Sequence, residues 1–476
     1  MDTSVSRSMF AVAVSMILIA TAWPITGCTV HAGELDLRPI EIKPEPLSQL
    51  RPELKWMTEQ KIRAIWITDD LFEKSVEGDR TKAQVIADAG FNLVHVSMGP
   101  NTDDKRSGVV DLDNPPALRH DRTRSTALEV RLKPNIAEAE RVGLHLFVGW
   151  KYGTHHLEPY RKYRSPTQGL ATYTCCPLDE AYIAGQHIGN WAVKAAQGGA
   201  EGINIDTEMY HSDKSLYYDP CVCDDCFATY LKEYAADWKA VYDSVPAEER
   251  GKWLVDRGAL NNLANPWWGD SHYVNFATKR VEKLWDGIRR RCQAINPSFV
   301  LARYHVFGNL PGMERGLGTS TVPCPVFNAS EYNHGPYRGS FLNMKSIPGN
   351  FPVLYLSGTY VTEQPPEMVA ESALQGCLYT DGWWAYYGTA LLVDGLPGGY
   401  GRYEGTSRAD YLDRITAVHA KIDKLLALPK DQWPERQDGK LNMLKKRVAE
   451  AKGVKEIAEA KADLANYTKL VNLGGY

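Results

Sequence analysis

Two stretches of this chain carry side chains suited to chemistry: Gly202-Ile-Asn-Ile-Asp-Thr-Glu208, and the cluster Cys221-x-Cys223-x-x-Cys226. Along an extended strand, alternate side chains face opposite ways. Asn204, Asp206 and Glu208 therefore share one face, and Ile203 and Ile205 the other. Burying polar side chains along an apolar strand is costly unless something uses them. A carboxylate at the C-terminal end of a barrel strand can stand beside a glycosidic oxygen as a general acid, the role expected of Glu208. A strand-end ion pair is the alternative use.

Glycoside hydrolysis needs a second carboxylate across the sugar ring. Glu331, in Val326-Phe-Asn-Ala-Ser-Glu-Tyr-Asn-His-Gly335, is the leading candidate, and Asp206 is the alternative, as nucleophile or as orienter of a substrate group. Groups at or near predicted strand ends that could contact substrate are Asn204, Trp66, Trp150, Tyr152, His305, Tyr360, Trp383 and Trp384. Alternation splits Trp383 and Trp384, one ring inward and one outward, so that one could floor a sugar subsite; core packing is the competing role for each ring. His95, His145 and His305 lie on different strands without metal-ligand spacing, and read as satisfied barrel histidines or substrate hydrogen-bonders. A metal-dependent hydrolase built on them is the weakest of the readings.

Three cysteines within six residues could grip one ion, and Cys176 could complete a tetrahedral all-thiolate site with Cys221, Cys223 and Cys226. Zinc suits that donor set, and its role would be structural because four thiolates close the coordination sphere. Disulfides are the competing reading for an exported chain. No organic cofactor is expected, since no glycine-rich phosphate fingerprint follows the first strand.

Elements to position these groups are legible as short β-rich runs at 62–68, 93–99, 144–150, 202–209, 300–306, 326–332, 353–360 and 383–388. Helical patterns intervene at 81–89, 133–142, 181–197, 273–295 and 366–376. Eight strands in βα alternation predict an α/β fold, a (β/α)8 TIM barrel; a doubly wound open sheet shares the local signals. A long insertion follows the fourth strand, at about 209–272, with one helix expected over 226–243. The tail is rich in Lys, Glu, Ala and Leu and predicts helices over 408–427 and 439–470.

Residues 9–23 form an apolar run of signal-peptide length, ending at Ile25-Thr26-Gly27-Cys28. That ending resembles the lipobox of bacterial lipoproteins, with Cys28 as the acylated residue; a plain secretory signal is the alternative. The expected organisation is a signal peptide at 1–27, a tether at 28–58, a catalytic barrel at 59–405 and a helical appendage at 406–476. The chain would be exported and lipid-anchored, facing the periplasm or the cell surface, its only membrane contact being the anchor. A net charge of −4 and the lack of a basic stripe argue against nucleic acid as a partner, whereas 13 Trp and 25 Tyr suit stacking on sugars.

The Cys176-Pro177 pair, the strand ending Ile-Asp-x-Glu and the following Cys-x-Cys-x-x-Cys-Phe together resemble glycoside hydrolase family 42 β-galactosidases. The resemblance covers mainly 176–232 and implies a retaining-clan barrel, a structural zinc and Glu208 as acid/base. Thr207 stands where that family has Asn, and 353–360 lacks its nucleophilic Glu. The same strand is similar to the Asp-x-Asp-x-Glu motif of family 18 chitinases and related hexosaminidases, with Asn204 replacing the first Asp. That likeness implies an acid at Glu208 and an acetamido-orienting Asp206. The expected function is hydrolysis of O-glycosidic bonds in an oligo- or polysaccharide. A carbohydrate-binding lipoprotein without catalysis is the alternative.

Overall fold

The computed structural model describes residues 34–473 apart from 77, 98–116, 152–160, 187, 208–209, 213–214, 217–219, 264–270, 306–311, 329–351, 362–363, 395–401, 404 and 435–438. Eight parallel strands close into a barrel: β1 (Ile62–Ile67), β2 (Leu93–Ser97), β3 (His145–Lys151), β4 (Gly202–Asp206), β5 (Val300–His305), β6 (Cys324–Asn328), β7 (Val353–Tyr360) and β8 (Gly382–Tyr386). Each strand pairs with its sequence neighbours, and β8 closes on β1 through Ile62–Gly382 to Ile65–Ala385. The fold is the expected (β/α)8 barrel rather than an open sheet.

Strand alternation sorts the apolar residues into two cores. Ile62, Ala64, Trp66, Leu93, Phe147, Val300, Ala302, Tyr304, Phe327, Leu354, Leu356 and Trp384 fill the barrel. Ile65, Ile67, Val94, Val96, Ile203, Ile205, Val326, Tyr355 and Trp383 belong to the core between strands and outer helices. Inside the barrel, large rings cross strands at glycines. A Cβ on Gly149 would fall 1.6 Å from Nε2 of His95, and one on Gly358 2.7 Å from Nε1 of Trp384.

The N-terminal end of the barrel is plugged. Leu54, Trp56 and Met57 join the interior core, and the Trp56 ring stacks on His145 at 3.7 Å and 5°. Upstream, the segment expected to be a tether is a fixed strap. Leu35 bridges Ala235, Asp36 N–H donates to Tyr234 O at 2.8 Å, and Arg315 holds Lys43 O. Ser48 N–H then bonds Ser320 O at 2.8 Å.

The insertion after β4 folds as helices Asp224–Tyr234, Trp238–Ser244 and Arg250–Asp256 around Phe227, Tyr230, Leu231 and Leu254. The single helix expected over 226–243 is therefore two, because the backbone turns extended at Ala235, where it pairs with Leu35. Helix Arg408–Leu426, expected in the appendage, is built into the barrel wall by buried Tyr411, Ile415, Val418, His419 and Ile422. The helix expected over 439–470 is also two, Gly439–Glu450 and Val454–Leu473. They part at Gly453, whose φ of +95° suits only glycine. Among the described residues, no helix is long and apolar enough to cross a membrane.

Candidate functional site

The C-terminal mouth of the barrel is built by the last inward residue of each strand. On β4 the sequence period holds: Ile203 and Ile205 are in the outer core, and Asn204 and Asp206 take the interior positions. Asp206 is buried at the strand end, level with Lys151 of β3 and Tyr304 of β5. Glu208 and Glu331 lie outside the described residues, as do Tyr152 and Cys28. Trp150 and His305 are on β3 and β5, where Trp150 pairs with Ile205 and His305 with Asn328; their side chains lie outside the description.

Below the mouth, Asn204 Nδ2 lies 3.0 Å from His95 Nδ1. Burial pushes the His95 pKa well below its ordinary value, so the ring is neutral; Asn204 then donates to Nδ1, and Nε2 carries the proton. Trp66 lies over His95 at 3.8 Å and donates its indole N–H to Ser97 Oγ at 2.6 Å. Tyr304 and Tyr386 meet Trp66 edge-on at 5.8 and 5.2 Å, and Tyr360 lies 5.4 Å from Tyr386. The result is an aromatic box around a polar stem. Trp66 and Tyr304 are buried, and Tyr360 and Tyr386 are half-buried.

The Trp pair splits as expected. Trp384 is the inward ring, fully buried beneath the box and tied by its indole N–H to Asn328 O at 3.0 Å. Trp383 points outward and donates to His419 Nε2 at 2.9 Å. Its expected substrate contact is corrected: an odd-numbered residue on β8 packs against the outer helices. Tyr304 and Tyr386 went unremarked in the sequence, although counting by two from Ala302 and Trp384 reaches both.

Other polar groups near strand ends are structural. Asp70, after β1, accepts from Arg131 at 2.7–3.0 Å and from Asn135 at 2.8 Å, and Asp69 pairs with Lys82 at 3.0 Å. His145 sits at the plugged end, 2.7 Å from Glu201. Among the described residues, no histidine joins a metal-ligating cluster.

The second centre lies between the outgoing connections of β3 and β4. Cys176 follows the hairpin Lys162–Ser165 with Gly169–Cys175, and Cys223 caps the helix carrying Cys226. Val222 N–H bonds Arg164 O at 2.9 Å, Cys176 N–H bonds Arg161 O at 2.7 Å, and Tyr273 O–H bonds Cys221 O at 2.6 Å. Together they bring Cys176, Cys221, Cys223 and Cys226, all buried, within 4.8 Å of one another at sulfur. The Cys176–Cys226 separation is 3.5 Å. A tetrahedral site with metal–sulfur bonds of about 2.3 Å has sulfur–sulfur edges of about 3.8 Å, so the four fit one ion. All eight described cysteines are free in this structure.

Burial pushes the Cys176 and Cys221 thiols up, while hydrogen bonds from Cys176, Cys221 and Cys226 pull Cys223 far down. Two cations balance the cluster. Arg161 bonds Asp225, and although its own burial opposes charge, Cys176, Cys226 and Asp225 hold it protonated. Arg280 lies 3.3 Å from Asp225. Four thiolates around a divalent ion carry net negative charge, which a helix N-terminus and two guanidinium groups offset.

No protein-family model matches the chain, and no curated protein does. Among solved structures it is similar to a β-galactosidase from Bacillus circulans sp. alkalophilus, at 11% identity over 77% of this chain and 56% of that one, TM-score 0.45. A glycoside hydrolase family 5 enzyme from Prevotella bryantii shares 9% identity over 78% and 99%, TM-score 0.38. An Anoxybacillus α-amylase shares 11% over 77% and 80%, TM-score 0.37. These likenesses are faint, and the fold rests on the strand order above.

Proposed function

We propose that the chain is an exported glycoside hydrolase acting on an oligo- or polysaccharide by carboxylate acid/base catalysis. The observation that carries this reading is the face of β4: Asn204 and Asp206 stand inside the barrel, and Glu208 follows Asp206 by two residues in the sequence. In the proposed mechanism Glu208 protonates the leaving glycosidic oxygen. Asp206, two residues below, disfavours its ionisation and orients the substrate. Glu331 is the proposed second carboxylate. Trp66, Tyr304, Tyr360 and Tyr386 would hold the sugar's apolar face, with Asn204 and His95 as their polar support.

The same reading takes Cys28 as a lipid anchor, so that the barrel works on the periplasmic or cell-surface side of a bacterial membrane. It also takes zinc as the ion of Cys176, Cys221, Cys223 and Cys226. Zinc would supply no chemistry to the reaction; it would lock the connections after β3 and β4 against each other beside the mouth.

The test is turnover of aryl glycosides and natural glycans by wild type and Glu208→Gln. Cleavage by the wild type and a loss of at least about a hundredfold in the variant are expected, from the usual contribution of general acid catalysis. Retained activity in a folded variant would remove Glu208 from the mechanism.

A second reading, a carbohydrate-binding lipoprotein without catalysis, draws on β7. Its inward positions are Leu354, Leu356, Gly358 and Tyr360, none a carboxylate. Glycan binding by a folded wild type that cleaves nothing in a broad panel would favour it.

A further inference from the structure

A cleft of about 900 Å³ opens on the outer flank of the barrel, along helix His272–Gln293. Its other walls come from 178–184 and 229–234, and both leave the cysteine centre. Leu178 and Glu180 follow Cys176 closely, and Thr229 stands one turn after Cys226 on helix Asp224–Tyr234. The 3.5 Å approach of the Cys176 and Cys226 sulfurs fixes these two walls at their root. Arg280, 3.3 Å from Asp225, ties the long helix to them.

Most charges along that helix are already committed. Asp286 pairs with Arg289 and, at 2.7 Å, with Arg290; Glu282 pairs with Arg315 at 2.9 Å. Arg291 donates to Ala184 O at 2.6 Å and to Asn190 Oδ1 at 2.7 Å. Lys279 and Lys283 are different. They are exposed, one turn apart on one face, and among the described residues no ion pair holds either. They also border a smaller cleft toward the strap, and no ion pair joins them to its Glu41 or Glu45. The next residue on their face is Gly287, where an added Cβ would meet nothing within 4 Å. Glycine weakens a helix interior, and here it leaves the floor beside the lysines open.

The lining selects a ligand class. Buried Phe276 and half-buried Tyr234 and Leu284 supply apolar surface. The two lysines supply positive charge, and exposed Glu180 and Glu233, on the other walls, supply acceptors for hydroxyl groups. A uronate ring combines an apolar face, hydroxyls and a carboxylate. A phosphate backbone would bring its charge against both glutamates.

We propose that this cleft is a second, non-catalytic glycan site that takes a uronate-bearing oligosaccharide, its carboxylates on Lys279 and Lys283. The volume lies within the range of small-ligand pockets. The assignment rests on the glycan reading of the proposed function and narrows it to an acidic glycan; it does not involve Glu208.

Calorimetric titration of the full chain with an oligogalacturonate, its methyl ester and a single-stranded DNA of equal charge tests it. The proteins are wild type, a double variant Lys279→Ala with Lys283→Ala, Gly287→Leu and Glu208→Gln, each checked for folding by circular dichroism and melting. Saturable binding of oligogalacturonate by wild type is expected, weaker by about tenfold or more in the double variant and in Gly287→Leu. The methyl ester should bind as weakly as the double variant binds the acid. Glu208→Gln should bind as wild type does, so loss of the acid/base mechanism would leave the cleft standing. Wild-type turnover of neutral glycans with no oligogalacturonate binding would overturn the cleft alone. Equal affinity for DNA would reduce the site to an unselective cationic surface and overturn the assignment. Unchanged affinity in the lysine and glycine variants would place the oligosaccharide elsewhere and overturn it too.

Discussion

Trp383 and His419 close the barrel wall through one hydrogen bond, indole Nε1–H to imidazole Nε2 at 2.9 Å. His419 donates from Nδ1 to Ala89 O at 2.7 Å, which fixes its tautomer and ties helix Arg408–Leu426 to the turn before β2. Burial, with Arg63 nearby, lowers the His419 pKa from its ordinary 6.5 to about 3. The folded state thus holds a neutral ring over a pH range in which the unfolded chain binds a proton. This contribution is complete above pH 6.5 and is lost as pH falls from 6.5 towards about 3, at about 1.4 kcal/mol per unit within that window. Urea unfolding of wild type and His419→Leu at pH 7, 6, 5 and 4 checks it. The variant should start less stable by about 1–3 kcal/mol, because Trp383 N–H and Ala89 O lose their partner, and should show a shallower acid slope. Equal slopes would mean His419 does not carry the effect.

The crossing of His95 over Gly149 leaves no room for a methyl group. Gly149→Ala should cost about 3 kcal/mol, because the new Cβ meets the Nε2 edge of an imidazole that is itself fully buried and packed under Trp66. Gly287→Ala is the control: its Cβ enters open space on the helix His272–Gln293, where alanine is favoured. Chemical denaturation of both should separate them clearly; a harmless Gly149→Ala would mean the His95–Asn204 stem can move aside.

Metal content tests the cysteine centre without reference to activity. Purified protein should carry about one zinc per chain, as a single tetrahedral site implies. Cys226→Ser should lose it, while Cys292→Ser, buried outside the cluster, should keep it. Stripping the ion should lower the melting temperature and expose four additional thiols to titration, one for each ligand. Full metal in Cys226→Ser would exclude this donor set.

The aromatic box predicts a binding defect from the side. Trp66→Ala removes the ring that Tyr304 and Tyr386 meet edge-on. An increase in KM or Kd of about tenfold or more is expected, from the usual worth of a lost stacking surface. Unchanged affinity in a folded variant would move the sugar site away from the box.

The second carboxylate is open to chemical rescue. If Glu331 is a nucleophile, Glu331→Ala should lose activity by several orders of magnitude and recover part of it with azide, giving a glycosyl azide of inverted configuration. If it is an inverting base, the wild type should form no covalent glycosyl-enzyme. Full activity in the variant would transfer the role to Asp206 or another group.

By itself the sequence determined what depends on local repetition. Period-two runs separated by helical stretches specified eight strands, all near their expected places, and 353–360 matched β7 at both ends. The same period put Asn204 and Asp206 opposite Ile203 and Ile205, and split Trp383 from Trp384. Cys-x-Cys-x-x-Cys announced a thiol cluster because six residues of chain cannot hold three sulfurs far apart. Contacts between distant segments were decided by the tertiary structure. Which tryptophan faced inward depended on closing β8 against β1. His419 acquired its role from Trp383 and Ala89, 36 and 330 residues away. The strap was illegible because its bonds use backbone groups, which every sequence possesses, and their partners at Tyr234, Ser320 and Thr321 are set by the folded surface it crosses.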